Sequence, residues 1–155
     1  MDLDERSVLF HGEPVRIKLE ANCLGYGPCP EPEDIVEQHL TVNAAGRVWF
    51  HEYQFGHVPG RYEMRSKQIG SIDSCAAKEL INTVAEYFRH DYENIFATDI
   101  GQWTLQIVNS EKEIFTVSGS LCAELRVDGV DLSDLLRKTV GIETLFAFDG
   151  GYEEE

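Results

Sequence analysis

Apolar residues in this chain recur at two different periods, and the places where the period changes fix most of what the fold can be. Val15, Ile17 and Leu19 alternate with Arg16, Lys18 and Glu20 directly after Pro14, the period of two that belongs to a strand with one buried face. Leu40 and Val42 then lead into Asn43-Ala44-Ala45-Gly46. Val48 and Phe50 follow on one parity, with Trp49, Tyr53 and Phe55 on the other, which predicts a hairpin whose second strand is covered on both faces over part of its length. Beyond the turn residues 56–60, Arg61 to Ile69 sets Tyr62 and Met64 against mostly charged neighbours and reads as a half-exposed fourth strand.

The period then lengthens. Ala77, Leu80, Ile81, Val84, Ala85 and Phe88 lie three or four apart behind Asp73 and Ser74, which offer capping oxygens, so a helix is predicted over about 74–90. Alternation returns in Trp103, Leu105 and Ile107. Asn109-Ser110-Glu111-Lys112 supplies a turn, and residues 114–117 complete a second hairpin. Asp131 and Asp134 bracket the start of a second helix, Leu132 to Val140, which Gly141 closes. Leu145, Phe146 and Phe148 form a last apolar segment before Asp149-Gly150-Gly151. The expected architecture is a single α+β domain: a twisted antiparallel sheet of about six strands in two hairpin groups with two helices, and tails at about 1–12 and 151–155.

Composition narrows the chemistry. The chain of 155 residues holds 28 carboxylates against 13 Lys and Arg, a net charge of -15. Residues 91–155 hold 14 acids and 4 bases, so the acidity is weighted toward the C-terminal half. Direct nucleic-acid binding is disfavoured because phosphate contacts need clustered Lys and Arg, and the one local group, Arg61, Arg65 and Lys67, is interrupted by Glu63. No apolar run approaches the ~18 residues of a membrane span, and the N-terminus lacks the features of a signal peptide, so a cytoplasmic protein is expected. The four cysteines form no CxxC pair. Cys75 and Cys122 stand among apolar residues and are expected to be buried, whereas Cys23 and Cys29 flank a Gly/Pro loop and are the one pair placed to bridge.

No catalytic motif is legible. His51, Glu52 and His57 supply metal-ligand atoms, but neighbouring strand residues point to opposite faces, and Cys23 or Cys29 would have to be added by tertiary contact; neither a metal nor a cofactor is expected. Val117-Ser118-Gly119-Ser120-Leu121 lacks the second glycine of a nucleophile elbow and reads as a strand end with a bulge at Gly119. Asp128, Asp131 and Asp134 read as a turn, an N-cap and a dipole-favouring acid. With Glu111, Glu113 and Glu124 they are the candidate partner-binding acids of a surface that imitates a run of phosphates.

Residues 128–137 and 145–150, together with Gly119-Ser120-Leu121-Cys122 and Gln102-Trp103-Thr104-Leu105, resemble the closing segment of a family of small acidic bacterial proteins to which no activity is assigned. The resemblance implies a shared fold and a bacterial or phage source. The functional expectation is a non-enzymatic binding module, an acidic inhibitor of the anti-CRISPR or immunity type that covers a basic surface on a nucleic-acid-handling protein. The alternatives are an enzyme or metal protein with a dispersed site, and a structural or oligomerising subunit.

Overall fold

The computed structural model describes residues 10–23, 30–58, 60–89, 101–121 and 125–150. Six strands form one antiparallel sheet: β1 (Pro14–Asn22), β2 (Ile35–Asn43), β3 (Arg47–Val58), β4 (Arg61–Ser71), β5 (Gln102–Asn109) and β6 (Ile114–Ser120), in the spatial order β4-β3-β2-β1-β5-β6. A two-residue hairpin, β7 (Arg126–Val127) with β8 (Val130–Asp131), stands apart from it. The helices are α1 (Ser74–Tyr87) and α2 (Leu132–Val140). The two hairpin groups are joined because β1 lies in the middle, pairing with β2 on one side and β5 on the other.

Alternation decides the faces. Ile17, Leu19, Leu40, Val42, Val48, Phe50, Leu105 and Ile107 are buried on one side, against α1 residues Ala77, Leu80, Ile81 and Val84. Helix α1 packs on β1 and β2 and against α2. Asp73 caps α1 by accepting the Ala76 N–H at 3.1 Å, and Asp131 caps α2 through the Ser133 N–H at 2.9 Å. Gly141, at φ 74°, gives α2 its left-handed stop. No helix among the described residues is long and apolar enough to cross a membrane.

The chain after α2 closes the core with Leu145, Ala147 and Phe148, all buried. It is held by polar groups that reach in from elsewhere. Gln38, in a core position of β2, donates to the Thr144 carbonyl at 3.0 Å and accepts the Phe146 N–H at 2.7 Å. Ser133 Oγ accepts the Phe148 N–H at 3.1 Å. Arg137 Nε donates to the Leu145 carbonyl at 2.8 Å, and its guanidinium pairs with Asp134 and Asp149.

Several sequence expectations are corrected. Cys75 is exposed, because it lies on the first turn of α1 outside the stripe that begins at Ala77. Gly119 is not a bulge: it pairs with Trp103 in unbroken register, and the absence of a side chain admits the indole, since a Cβ there would stand 2.8 Å from the ring. The outer parity of β3, expected to be covered over part of its length, carries Trp49, His51 and Tyr53, each half-buried, on a face that no described element overlies. Phe10, assigned to a tail, is buried and donates its N–H to the Phe88 carbonyl at 2.8 Å. Cys29, Cys122 and Glu124 lie outside the described residues.

Candidate functional site

The uncovered face of the sheet concentrates side chains of one kind. Register opposes Arg16 to Asn43, Lys18 to Thr41, Thr41 to Trp49, His39 to His51 and His51 to Lys67, so all of these share the open side of β1 to β4. On this side a depression of about 380 Å³ is lined by Arg16, Lys18, His39, Thr41, Trp49, His51 and Tyr53. Arg47 lies over the Trp49 ring, its guanidinium carbon 5.6 Å from the centroid. His39 meets Tyr53 with ring centroids 4.9 Å apart.

Charge on this half of the sheet runs against that of the chain. Strands β1 to β4 contain six Lys and Arg and four Glu, although the whole protein has more than twice as many acids as bases. Two of those glutamates face away from the depression or lie beyond it. Glu52 accepts from Gln38 and Ser66 on the covered side, and Glu63 binds Gln54 Nε2 and the His57 N–H at the hairpin end. The other two are engaged on the face: Glu20 with Lys18 at 3.3 Å and Glu37 with His39 at 2.6 Å. Arg16, Arg47 and Lys67 have no carboxylate within ion-pair distance among the described residues.

His51 records the resulting field. Partial burial first, and then the positive charges of Lys67, His39 and Lys18, hold its imidazole below the ordinary value of 6.5. Because the folded value is depressed, the contribution of this group to stability is complete above pH 6.5 and is lost as pH falls from there toward the folded value. An NMR titration is expected to place the His51 midpoint below 6.5, and Lys67→Gln, by removing the nearest positive contributor, is expected to raise it. A midpoint at or above 6.5 means the face is not positive.

The sequence candidates are dispersed. His51 and Glu52 occupy opposite sides of β3, and His57 lies beside Glu63 at 3.9 Å. No group of three ligating side chains converges among the described residues. Cys23 is exposed overall, but its Sγ points to the Ile35 carbonyl at 3.6 Å, and desolvation of the sulfur followed by nearby Asp34 raises its thiol against the lowering effect of a backbone hydrogen bond. Ser118 stands on β6 opposite Thr104. Of the candidate acids, Glu111 and Glu113 belong to the β5–β6 turn, where the Glu113 carboxylate accepts from Asn109 Nδ2 at 2.9 Å. Asp128, at φ 51°, makes the β7–β8 turn with Gly129, Asp131 caps α2, and Asp134 pairs with Arg137 at 3.2 Å. The sequence reading missed the cationic face. Its signal was the parity of Arg16, Lys18, Arg47, Trp49, His51 and Lys67, which becomes a surface only when four strands are set in register.

Comparison of the chain with family models, with curated proteins and with solved structures finds no match.

Proposed function

We propose that this protein is a non-enzymatic binding module whose working surface is the open face of β1 to β4, and that this face holds an anionic partner. One observation carries the reading: in a chain of net charge -15, Arg16 on the lining of a depression that also presents Trp49 and Tyr53, and Arg47 and Lys67 beside it on the same face, have no carboxylate partner among the described residues. A cluster that stays positive is a surface suited to attracting negative charge at short range, with its field focused by the low-dielectric protein beneath it, while the acids elsewhere on the chain oppose approach from a distance. The depression is wide and shallow, which suits recognition of a surface better than chemistry that depends on excluding water.

The test uses the fluorescence of Trp49, which lies on the face, with buried Trp103 as a constant background. Titration with polyglutamate or heparin at low salt is expected to perturb Trp49, and binding is expected to weaken steeply as ionic strength rises. The double variant Arg16→Glu/Arg47→Glu is expected to lose about tenfold or more in affinity while unfolding normally, since both side chains are exposed or stacked and not in the core. No response to either polyanion in about 20 mM salt, where screening is weakest, sinks the reading.

A second reading keeps the opposite polarity. Since β1 to β4 are positive in sum, more than the whole of the net negative charge belongs to the rest of the chain, and Asp134, exposed on α2, is among its acids. That surface would cover a basic partner, as the acidic-inhibitor expectation holds, and retention of the protein on a cation-bearing matrix that Arg16→Glu/Arg47→Glu leaves unchanged would favour it.

A further inference from the structure

The outer edge of β4 is built to accept a strand. β4 runs eleven residues at the end of the sheet, and all of them except Tyr62 and Ser66 are exposed, including Met64 at 53% and Ile69 at 55%. The direction of its main chain follows from one bond: the Ile72 N–H donates to the Gly46 carbonyl at 2.7 Å, toward β3. Antiparallel strands alternate, so Gly70, Gln68 and Ser66 also turn inward, against Val48, Phe50 and Glu52. The N–H and C=O groups of Lys67, Ile69 and Ser71 therefore point away from the sheet, and no described segment pairs with them.

Side chains on the two sides of that edge differ in chemistry. On the open side Lys67 stands opposite His51 and Ile69 opposite Trp49, and Arg61 and Arg65 lie farther along β4 beyond its register shifts. None of the three β4 cations has a carboxylate partner among the described residues. On the covered side, helix α2 stops short of β4 and leaves a groove of about 160 Å³ between Gln68, Gly70 and the segment Val140, Gly141 and Ile142. A Cβ at Gly70 would meet nothing within 4 Å. A space of this size is of the order that accepts a single benzene-sized apolar group, about 150 Å³.

We infer that β4 is a receptor edge, to which an extended segment of another polypeptide adds as a further strand, with acidic residues on the parity facing Lys67 and aliphatic residues on the parity facing the groove beside Gly70. Main-chain hydrogen bonds supply the attachment and the alternate side chains supply the choice of partner. The charge selects against a second copy of this chain, because pairing two β4 edges brings Arg61, Arg65 and Lys67 of both, each set offset by a single Glu63, onto one seam. The inference rests on the anionic-partner reading and specifies the partner's form.

The probe is a synthetic peptide of about ten residues alternating glutamate and valine, the length of an ordinary strand. On binding, amide exchange at Lys67, Ile69 and Ser71 is expected to slow at least tenfold while Ser66, Gln68 and Gly70 change little. Ile69→Pro, which removes an outward donor without breaking a bond to β3, is expected to weaken the peptide at least tenfold, and Lys67→Glu to do the same. A peptide N-methylated at alternate residues tests the pairing with the protein unaltered, and it is expected not to bind. If the N-methylated peptide binds as well as the parent, or a thymidine oligonucleotide binds and leaves the three amides unprotected, the strand inference falls and the anionic-face reading stands. Protection of the same amides by self-association without peptide also overturns it. Failure of the peptide together with polyglutamate and heparin overturns both.

Discussion

Arg137→Ala is expected to lower the stability of the fold by about 2–3 kcal/mol, because it removes a nearly buried guanidinium whose hydrogen bonds to main-chain carbonyls and partly buried carboxylates are lost together. The residue is one-tenth exposed, and every nitrogen of its guanidinium is engaged. Nε holds the Leu145 carbonyl, one terminal nitrogen holds Asp134, and the other holds Asp149 and the Phe146 carbonyl at 3.3 Å. Truncation removes a donor from two carbonyls and two carboxylates at once. It also unfastens the segment that places Leu145, Ala147 and Phe148 in the core, so the loss exceeds that of an exposed salt bridge, about 1 kcal/mol or less. Urea unfolding followed by circular dichroism measures it. A loss below about 1 kcal/mol would mean that packing and the bonds from Gln38 and Ser133 hold this segment without Arg137.

Gly101→Ala is expected to be comparably damaging, with about 3 kcal/mol lost or no folded protein recovered. The added carbon would stand 1.8 Å from the Asn22 carbonyl oxygen and 2.6 Å from the Cys23 Cα, both backbone atoms with no rotamer to turn aside. The start of β5 would have to draw away from the end of β1, opening the pair Asn22–Gln102 and straining the bond from the Leu121 N–H to the Gly101 carbonyl. Gly70→Ala is the matched control, since it meets open space on β4 and is expected to be neutral or to stabilise by up to about 1 kcal/mol. Equal effects at the two positions would refute the close approach. Thermal unfolding of both variants decides the matter.

How far the sequence could be read depended on how local each determinant was. Both helices were legible from spacing and caps, and the hairpins at Asn43–Gly46 and Asn109–Lys112 from alternation on either side of a turn. The first half of β2 was not. Its core slot at position 38 is filled by glutamine, whose partners Thr144 and Phe146 are more than 100 residues away, so no local pattern marks it as buried. The β7–β8 hairpin is two residues per strand, too short for periodicity to register. The order β4-β3-β2-β1-β5-β6 required β1 to be shared by both hairpin groups, and nothing within either group specifies that.

The candidate site escaped for the same reason. Arg16, Lys18, His39, Trp49, His51 and Lys67 come from four strands, and counting charge over long stretches of chain averaged them with loop and terminal acids. His51 was noticed as a metal-ligand type beside Glu52 and His57, neighbours along the chain that the pleat separates. The acids singled out at 128, 131 and 134 were identified as a turn and a helix start, and those are the bonds they make.

The central position of β1 sets the order in which the sheet can be completed. During synthesis β1 to β4 and α1 leave the ribosome first and pair as neighbours, but the flank of β1 that receives β5 must wait for residues 102–109. Contacts of such sequence separation place folding toward the slow end for domains of this size. Throughout that wait β1 is an edge strand, and Arg16, Lys18 and Glu20 on its open face keep charge beside the unpaired backbone, which deters the half-finished sheet from joining another nascent chain.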